Sequence, residues 1–235
     1  MNGGALVNAS LVRYSWFRHC RPVKWLIASV CLVASLHAEP LALEGKLNDG
    51  WTWRRENPAG WRIRDNTLEI RVEPRNMWGP ANDAKNVLVR RLDPAHAGPH
   101  QRVQISITIS NKPTEQYEQV DLVWYYDDSH MVKIGQELVD GKLSIVMGRE
   151  ENDRTRTIAI IPIDALQVDL RLAVTNNIIR GAFRPTTSND WREAGSCDLP
   201  IHGEPHVAIQ SYQGPANAEH WARISDFTIR PPTKQ

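Results

Sequence analysis

The side chains best suited to contact a ligand lie within residues 119–137. This segment contains an aromatic ring, a cation and an anion at positions that can share one face of a pair of strands. Alternate residues of an extended strand point to opposite faces. If Trp124 faces the core, then Tyr125, Lys133 and Glu137 face outward together and should be more accessible to solvent than the core residues. Such a group suits a sugar, because its C–H faces stack on aromatic rings and its hydroxyls need several fixed donors and acceptors.

Three further aromatic residues are candidates for the same surface. Tyr212 lies on a strand-like segment near the end of the chain, and Trp191 follows a polar loop. Trp78 stands beside a glycine in a loop, where it could line the rim of a site. We therefore predict carbohydrate contacts from Trp78, Trp191 and Tyr212 in addition to the hairpin residues.

The elements that must position these residues are β-strands. The segment 119–137 reads as two alternating strands joined by the turn Asp127-Asp128-Ser129, which predicts a β-hairpin. Strand-like runs recur every 8 to 12 residues or so, which is typical of a β-sandwich. The dipeptides Asp140-Gly141 and Asn176-Asn177 favour tight hairpin turns. The predicted core positions include Val103, Ile105, Leu122, Val132, Ile134, Leu170 and Leu172.

The order of motifs along the chain resembles a known family. The hairpin, with its aromatic cluster, Asp-Asp turn and Val-Lys-Ile-Gly-x-Glu run, resembles that of bacterial concanavalin A-like β-sandwiches of unknown function. It is also similar to the accessory sandwich that follows the catalytic propeller in some bacterial β-xylosidases. The other matching segments are Trp51–Trp53, Trp61–Leu68, Asp169–Leu172, Phe183–Trp191, Val207–Gln213 and Ile224–Ile229. The resemblance implies an all-β, concanavalin A-like jelly-roll sandwich of two antiparallel sheets.

One departure from the family pattern concerns the loop before Trp191. The family usually has Ser-x-Asp-Gly there, whereas this chain has Pro185–Asp190. The resemblance also implies a structural calcium ion that joins the terminal strands in many such sandwiches. Calcium prefers carboxylate, amide and carbonyl oxygens. The candidate ligands are Glu44, Asn48, Asp49 and Asp226.

The first 38 residues are typical of a secretory signal peptide. They contain four basic residues and no acid, then an apolar run at 25–36 and a small residue at Ala38. This run is shorter than the roughly 20 residues that span a membrane. We therefore predict a signal peptide at 1–38, a sandwich domain at 39–235, no membrane span, and a secreted or periplasmic location.

Removal of this segment leaves 24 of the 28 basic residues against 27 acidic ones, a net charge of −3. A chain with this charge and no basic tract is not expected to bind nucleic acid.

No convincing enzyme motif is present. The nearest approach to a paired-carboxylate glucanase strand is Glu118-Gln-Val-Asp121, whose acids fall on opposite faces of a strand. The sequence therefore favours an exported, non-catalytic domain that binds a carbohydrate or glycoconjugate. Two alternatives stay open: a glycoside hydrolase for a small, possibly oxidised saccharide, and a structural domain of the cell envelope.

Overall fold

A computed structural model describes residues 41–43, 46–93 and 102–230. In these ranges the chain forms sixteen strands, and its helical structure is one 3-10 turn at Pro58–Gly60. The strands are β1 (Ala42–Leu43), β2 (Lys46–Leu47), β3 (Trp51–Arg54), β4 (Trp61–Arg64), β5 (Thr67–Arg71), β6 (Val87–Arg91), β7 (Arg102–Ser110), β8 (Gln119–Asp127), β9 (His130–Val139), β10 (Lys142–Glu151), β11 (Arg154–Pro162), β12 (Gln167–Thr175), β13 (Ile178–Pro185), β14 (Arg192–Asp198), β15 (His206–Tyr212) and β16 (Trp221–Arg230). The predicted all-β class is confirmed.

Two antiparallel sheets of seven strands form the sandwich. The front sheet has the strand order β11-β10-β9-β8-β15-β6-β3, and the back sheet has the order β14-β13-β12-β7-β16-β5-β4. Strands β1 and β2 form a separate two-stranded ribbon. The chain crosses repeatedly between the sheets, so strands distant in sequence become neighbours, and the predicted two-sheet sandwich is confirmed.

The predicted hairpin is formed by β8 and β9, in which Leu122 pairs with Ile134 and Trp124 with Val132. The two predicted tight turns are also present, since Asp140, Gly141, Asn176 and Asn177 all have φ between 49° and 72°. This left-handed backbone is tolerated by Gly and Asn and matches the twist of paired strands.

The main hydrophobic core lies between the two sheets. The predicted core positions, with exposures of 0%, are Val103, Ile105, Leu122, Val132, Ile134, Leu170 and Leu172. Their burial confirms the strand register, because a slip of one residue would move every side chain to the other face. Cys197, a free cysteine, is buried in this core as well.

A second apolar cluster covers the outer face of the front sheet. The connection between β5 and β6, residues 72–86, is here called the covering segment. Its Met77 and Ala84 are buried against residues that point outward from the sheet. These outward residues are Val87, Val89, Val123, Tyr125, Met131, Ala208 and Tyr212.

The expectation that the outward hairpin residues are accessible is therefore wrong. Tyr125, Lys133 and Glu137 are 0%, 2% and 7% exposed. They do point away from the inter-sheet core, as predicted, but the covering segment and neighbouring side chains remove them from solvent. A connection of fifteen residues with few apolar positions gives little indication of where it packs.

None of the described residues belongs to a helix that is long and apolar enough to cross a membrane. The predicted signal peptide at 1–38 lies outside the described residues, so it stays a prediction.

Candidate functional site

A pocket of about 420 Å³ opens on the outer face of the front sheet, beside the covering segment. Its floor comes from outward positions of β8 to β11, and its wall comes from the covering segment and the loops before β8 and after β15. The lining residues are Asn76, Trp78, Tyr117, Gln119, Lys133, Glu137, Val139, Asp140, Val146, Thr157, Ile160 and Gln213. A more open depression adjoins it and shares Asn76 and Gln213.

Lys133 is the centre of a buried polar cluster at the base of the pocket. Its Nζ donates to Gln119 Oε1, to Glu137 Oε2 at 3.2 Å and to the Tyr212 hydroxyl at 3.3 Å. Asp121 Oδ2 lies 4.0 Å from the same nitrogen. A buried ammonium group requires such acceptors, since its desolvation is otherwise costly. These contacts fix the side chains of Lys133 and Glu137 before any ligand arrives.

Asp121 lies behind this cluster and is completely buried. Neither of its carboxylate oxygens has a hydrogen-bond partner among the described residues. Burial raises the pKa of Asp121 to about 7; the charge of Lys133 opposes that rise and the charge of Glu137 adds to it. A side chain at Gly135, its partner on β9, would place Cβ 1.9 Å from Asp121 Oδ1. Only glycine therefore fits opposite this carboxylate.

A second buried carboxylate, Glu150 on β10, holds the covering segment in place. Its Oε2 accepts a hydrogen bond of 3.1 Å from the backbone N–H of Gly79. Burial raises the pKa of Glu150 to about 7 as well. Neither Asp121 nor Glu150 lines the pocket.

Trp78 supplies one aromatic wall of the pocket. The Nζ of Lys133 lies 4.7 Å from the centroid of its ring. An added Cβ at Gly148 would come within 2.6 Å of the indole, so the absence of a side chain there makes room for Trp78. Asn76 orients the loop, because its side chain accepts from the Trp78 N–H at 3.2 Å and donates to the Trp78 carbonyl at 3.0 Å.

Tyr117 supplies the other aromatic wall and is 47% exposed. Its φ of 69° is unusual for a bulky residue and is retained only where surrounding contacts hold it. Its N–H donates to the Leu138 carbonyl at 2.7 Å, and its own carbonyl accepts from Gln119 Nε2 at 2.8 Å. The strained residue thus orients both an exposed ring and the amide that binds Lys133.

The structure brings together some of the predicted carbohydrate contacts. Trp78, Lys133 and Glu137 line one pocket. Tyr212 is fully buried and does not line the pocket, but its hydroxyl accepts a hydrogen bond from Lys133. Burial raises the pKa of the Tyr212 hydroxyl, so it stays protonated.

Two other predicted contacts lie elsewhere. Tyr125 is fully buried, and its hydroxyl donates to Asp128 Oδ1 at 2.6 Å, so it offers no surface for stacking. Trp191 lies at the back sheet, under the guanidinium groups of Arg171 and Arg184 at 4.1 and 4.8 Å. The altered loop 185–190 precedes Trp191 on that sheet, away from the pocket.

Sequence reasoning missed Tyr117, Gln119 and Gln213 as lining residues. Strand alternation alone puts Gln119 on the face of Asp121, and this signal was available. Tyr117 and Gln213 lie outside the strands, and nothing in their spacing predicts that they reach the pocket.

The predicted calcium ligands do not form a described site. Glu44 lies outside the described residues. Asp49 is exposed in the turn between β2 and β3, and Asp226 accepts from Ser225 Oγ at 2.8 Å at a bulge in β16. Within the described ranges no group of three or more His, Cys, Asp or Glu side chains could hold a metal ion. The calcium site stays a prediction.

Solved structures share this fold at low sequence identity. The GH43 BlXynB protein from Bacillus licheniformis is 17% identical, with a TM-score of 0.68 over 80% of this chain and 37% of that chain. Xylan beta-1,4-xylosidase from Bacillus halodurans C-125 is 13% identical, with a TM-score of 0.65 over 82% of this chain and 38% of that chain. This chain thus spans less than two fifths of the length of either protein.

A functionally unknown protein from Saccharomyces cerevisiae is 13% identical, with a TM-score of 0.64 over 79% of this chain and 98% of that chain. No curated protein sequence matches the chain. Residues 43–215, however, match the family model of the beta-xylosidase C-terminal concanavalin A-like domain. The match covers most of the chain and agrees with the motifs quoted above from the hairpin and its neighbouring strands. The chain therefore belongs to the family of beta-xylosidase C-terminal concanavalin A-like domains.

Proposed function

We propose that this protein is a non-catalytic carbohydrate-binding domain and that the pocket beside Trp78 is its binding site. The observation that carries the proposal is the arrangement of two aromatic walls, Trp78 and Tyr117, around the fixed polar groups of Gln119, Lys133 and Glu137. The pocket volume of about 420 Å³ falls within the range of roughly 300 to 1,000 Å³ that is common for small-molecule sites.

The chemistry of the lining suits a sugar ring. An aromatic ring offers an apolar face to C–H groups, while charged and amide groups bond to hydroxyls. Because internal hydrogen bonds already hold Lys133 and Gln119, binding would cost little side-chain entropy. Solved structures with this fold include a xylan beta-1,4-xylosidase, which makes xylo-oligosaccharides the first ligands to test.

A glycoside hydrolase is the second candidate, and Asp121 is the observation that favours it. A carboxyl group with its pKa near 7 suits acid–base catalysis at neutral pH. A general acid must, however, come within hydrogen-bond reach of the substrate. Asp121 is completely buried and does not line the pocket, which favours binding over catalysis.

The binding proposal is tested by calorimetry with xylo-oligosaccharides and by a glycan array, on the wild type and on Trp78→Ala, Tyr117→Ala and Glu137→Gln. Each substitution should weaken binding by roughly 1 to 3 kcal/mol, since each removes a single partner. Leu166→Ala, which truncates an exposed apolar residue outside the pocket lining, is the matched control. If no glycan binds, or if all three variants bind like the wild type, the pocket is not the site. Steady hydrolysis of a bound glycan that is lost in Asp121→Asn would establish the enzyme instead.

We also propose that the domain is exported, on the basis of the sequence pattern at residues 1–38. N-terminal sequencing of the protein from the periplasm or medium should find a start near Glu39. Recovery of the intact chain only from detergent-extracted membranes would contradict this proposal.

A further inference from the structure

The outer face of the back sheet is rich in arginine. Strand register points the arginine side chains away from the core-facing residues of β4, β5, β7, β12, β13 and β16. The outward arginines are Arg62, Arg64, Arg71, Arg102, Arg171, Arg180, Arg184, Arg223 and Arg230. The acids at outward or bulge positions are fewer and comprise Glu69, Asp169, Glu193, Asp198 and Asp226. Arg71 also pairs with Glu219 at 3.3 Å. This face thus carries more cationic than anionic side chains, although residues 39–235 carry a net charge of −3.

One arginine group surrounds Trp191 at the β12–β13 side of the face. Arg171 and Arg184 lie over the indole, and Arg184 also pairs with Asp169 at 2.7 Å. Partial burial, together with the charges of Arg230 and Arg184, lowers the pKa of Arg171 from its usual value. The positive charges of Arg171, Arg184 and Arg230 therefore act on one another and are not fully neutralised by nearby acids.

A second arginine group surrounds Trp221 at the other side of the sheet. Arg62 lies 3.8 Å from the Trp221 ring centroid. Arg62 and Arg223 share the carboxylate of Glu69, at 2.5 and 2.8 Å. Two or more guanidinium groups per carboxylate leave N–H donors available for an external anion.

The strip between the two groups consists of hydroxyl side chains on β7 and β16. Ser110, Ser225 and Thr228 are half-buried, whereas Ser106 and Thr108 are buried and bond to Thr228 and Asp169. A shallow pocket of about 140 Å³ lies among Thr108, Ser225 and Arg223. From β13 to β4 the face crosses five inter-strand steps, or about 24 Å at roughly 4.8 Å per step. A surface of this length, with anion-binding groups at both ends, fits an extended polymer better than a single ion.

We propose that the back sheet binds an anionic polysaccharide, one whose sugars carry carboxylate or sulfate groups. Guanidinium groups bind such anions through paired hydrogen bonds, and the half-buried hydroxyls of Ser110 and Ser225 can bond to sugar hydroxyls between them. The two outward tryptophan rings are already covered by guanidinium groups, so they are not free to stack on nucleic-acid bases. The exposed large apolar residues Tyr117, Ile160, Leu166 and Ile201 do not belong to the strands of this face, so these strands offer no large exposed apolar side chain for insertion into a membrane.

The test uses polygalacturonate and chondroitin sulfate in affinity electrophoresis and calorimetry at several salt concentrations. The wild type should bind both polymers, with an affinity that falls as salt rises. Arg171→Gln/Arg230→Gln should lose affinity by roughly tenfold or more, because two charge-assisted contacts are removed. Arg154→Gln/Arg156→Gln removes the same charge from exposed positions of edge strand β11 and should bind within about twofold of the wild type.

Three further measurements make the outcome decisive. Thermal unfolding must show that both double variants are folded. Trp78→Ala/Tyr117→Ala should bind the polyanions normally, which separates this surface from the front pocket. Equal losses in the two arginine double variants would show non-specific charge attraction and overturn the proposal. Preference for duplex DNA or for vesicles with anionic lipid over both polysaccharides would overturn it as well.

Discussion

The outer faces of the two sheets follow the same alternation of residues but have opposite environments. On the front sheet, the covering segment buries Tyr125 and Met131, and the polar groups around Lys133 bond to one another. On the back sheet, the described outward positions carry arginine side chains that are exposed or half-buried, together with the half-buried hydroxyl residues Ser110, Ser225 and Thr228. Whether an outward residue is buried therefore depends on the connections between strands and cannot be read from the strands alone.

Local hydrogen bonds explain why the covering segment holds its place. Asp83 accepts from the Asn76 N–H at 2.8 Å, and the carbonyl of Asn76 accepts from the N–H groups of Asp83 and Ala84. The Asn76 N–H is also the main cause of a lowered Asp83 pKa. These bonds pair the backbone N–H groups of Asn76, Asp83 and Ala84 next to the buried Met77 side chain.

The largest difference between the faces should appear on truncation of an aromatic residue. Tyr125→Ala should lower the free energy of unfolding by roughly 3 to 5 kcal/mol, because it opens a cavity in the second cluster. Trp191→Ala on the back sheet should cost about 1 kcal/mol, because its ring lies outside both clusters. Chemical denaturation of both variants measures the two values. Similar losses at the two sites would show that the front face is not a second core.

A smaller and pH-dependent effect should come from Asp121. Its pKa is raised from 3.8 to about 7 in the folded protein, so the folded state holds a proton that the unfolded state has released. The contribution of the Asp121 carboxyl to the free energy of unfolding is greatest below about pH 4. It falls by up to about 4 kcal/mol as pH rises to about 7. Glu150, whose pKa is also raised to about 7, acts in the same direction.

Asp121→Asn should flatten this part of the profile, because the amide does not titrate. Denaturation curves from pH 4 to pH 8 provide the measurement, and Asp169→Asn on the back sheet serves as the comparison. A wild-type profile that rises through this pH range, or one that Asp121→Asn leaves unchanged, would contradict the assignment of a raised pKa.

The smallest effect concerns repulsion on the back face. Arg171→Gln removes a charge close to Arg184 and Arg230 and also a contact with Trp191. These changes oppose each other, so the free energy of unfolding should stay within about 0.5 kcal/mol of the wild type at low salt. Added salt should stabilise the wild type more than the variant, because screening relieves repulsion that the variant lacks. Thermal unfolding at roughly 0.01 and 0.15 M salt measures this stabilisation for both proteins. An equal gain in the wild type and in Arg171→Gln would show that the charges do not interact.

The sequence by itself determined the sandwich, the β8–β9 hairpin and its register. Period-2 alternation, as in β7, leaves only one face that can enter the core, and Asp140-Gly141 and Asn176-Asn177 fix tight turns through their left-handed backbone. It also placed Lys133 and Glu137 on the same outer face, because they are separated by an even number of residues on one strand.

The tertiary structure alone decided which of these outward residues line a pocket. Trp78 and Tyr117 reach it from a connection and a loop, whose paths depend on contacts with residues far away in sequence, such as Gly79 with Glu150 and Tyr117 with Leu138. The burial of Asp121, its raised pKa and the gathering of arginines from six strands likewise arise only when the sheets assemble. Local periodicity specifies the direction of a side chain, whereas its environment is specified by the segments that pack over it.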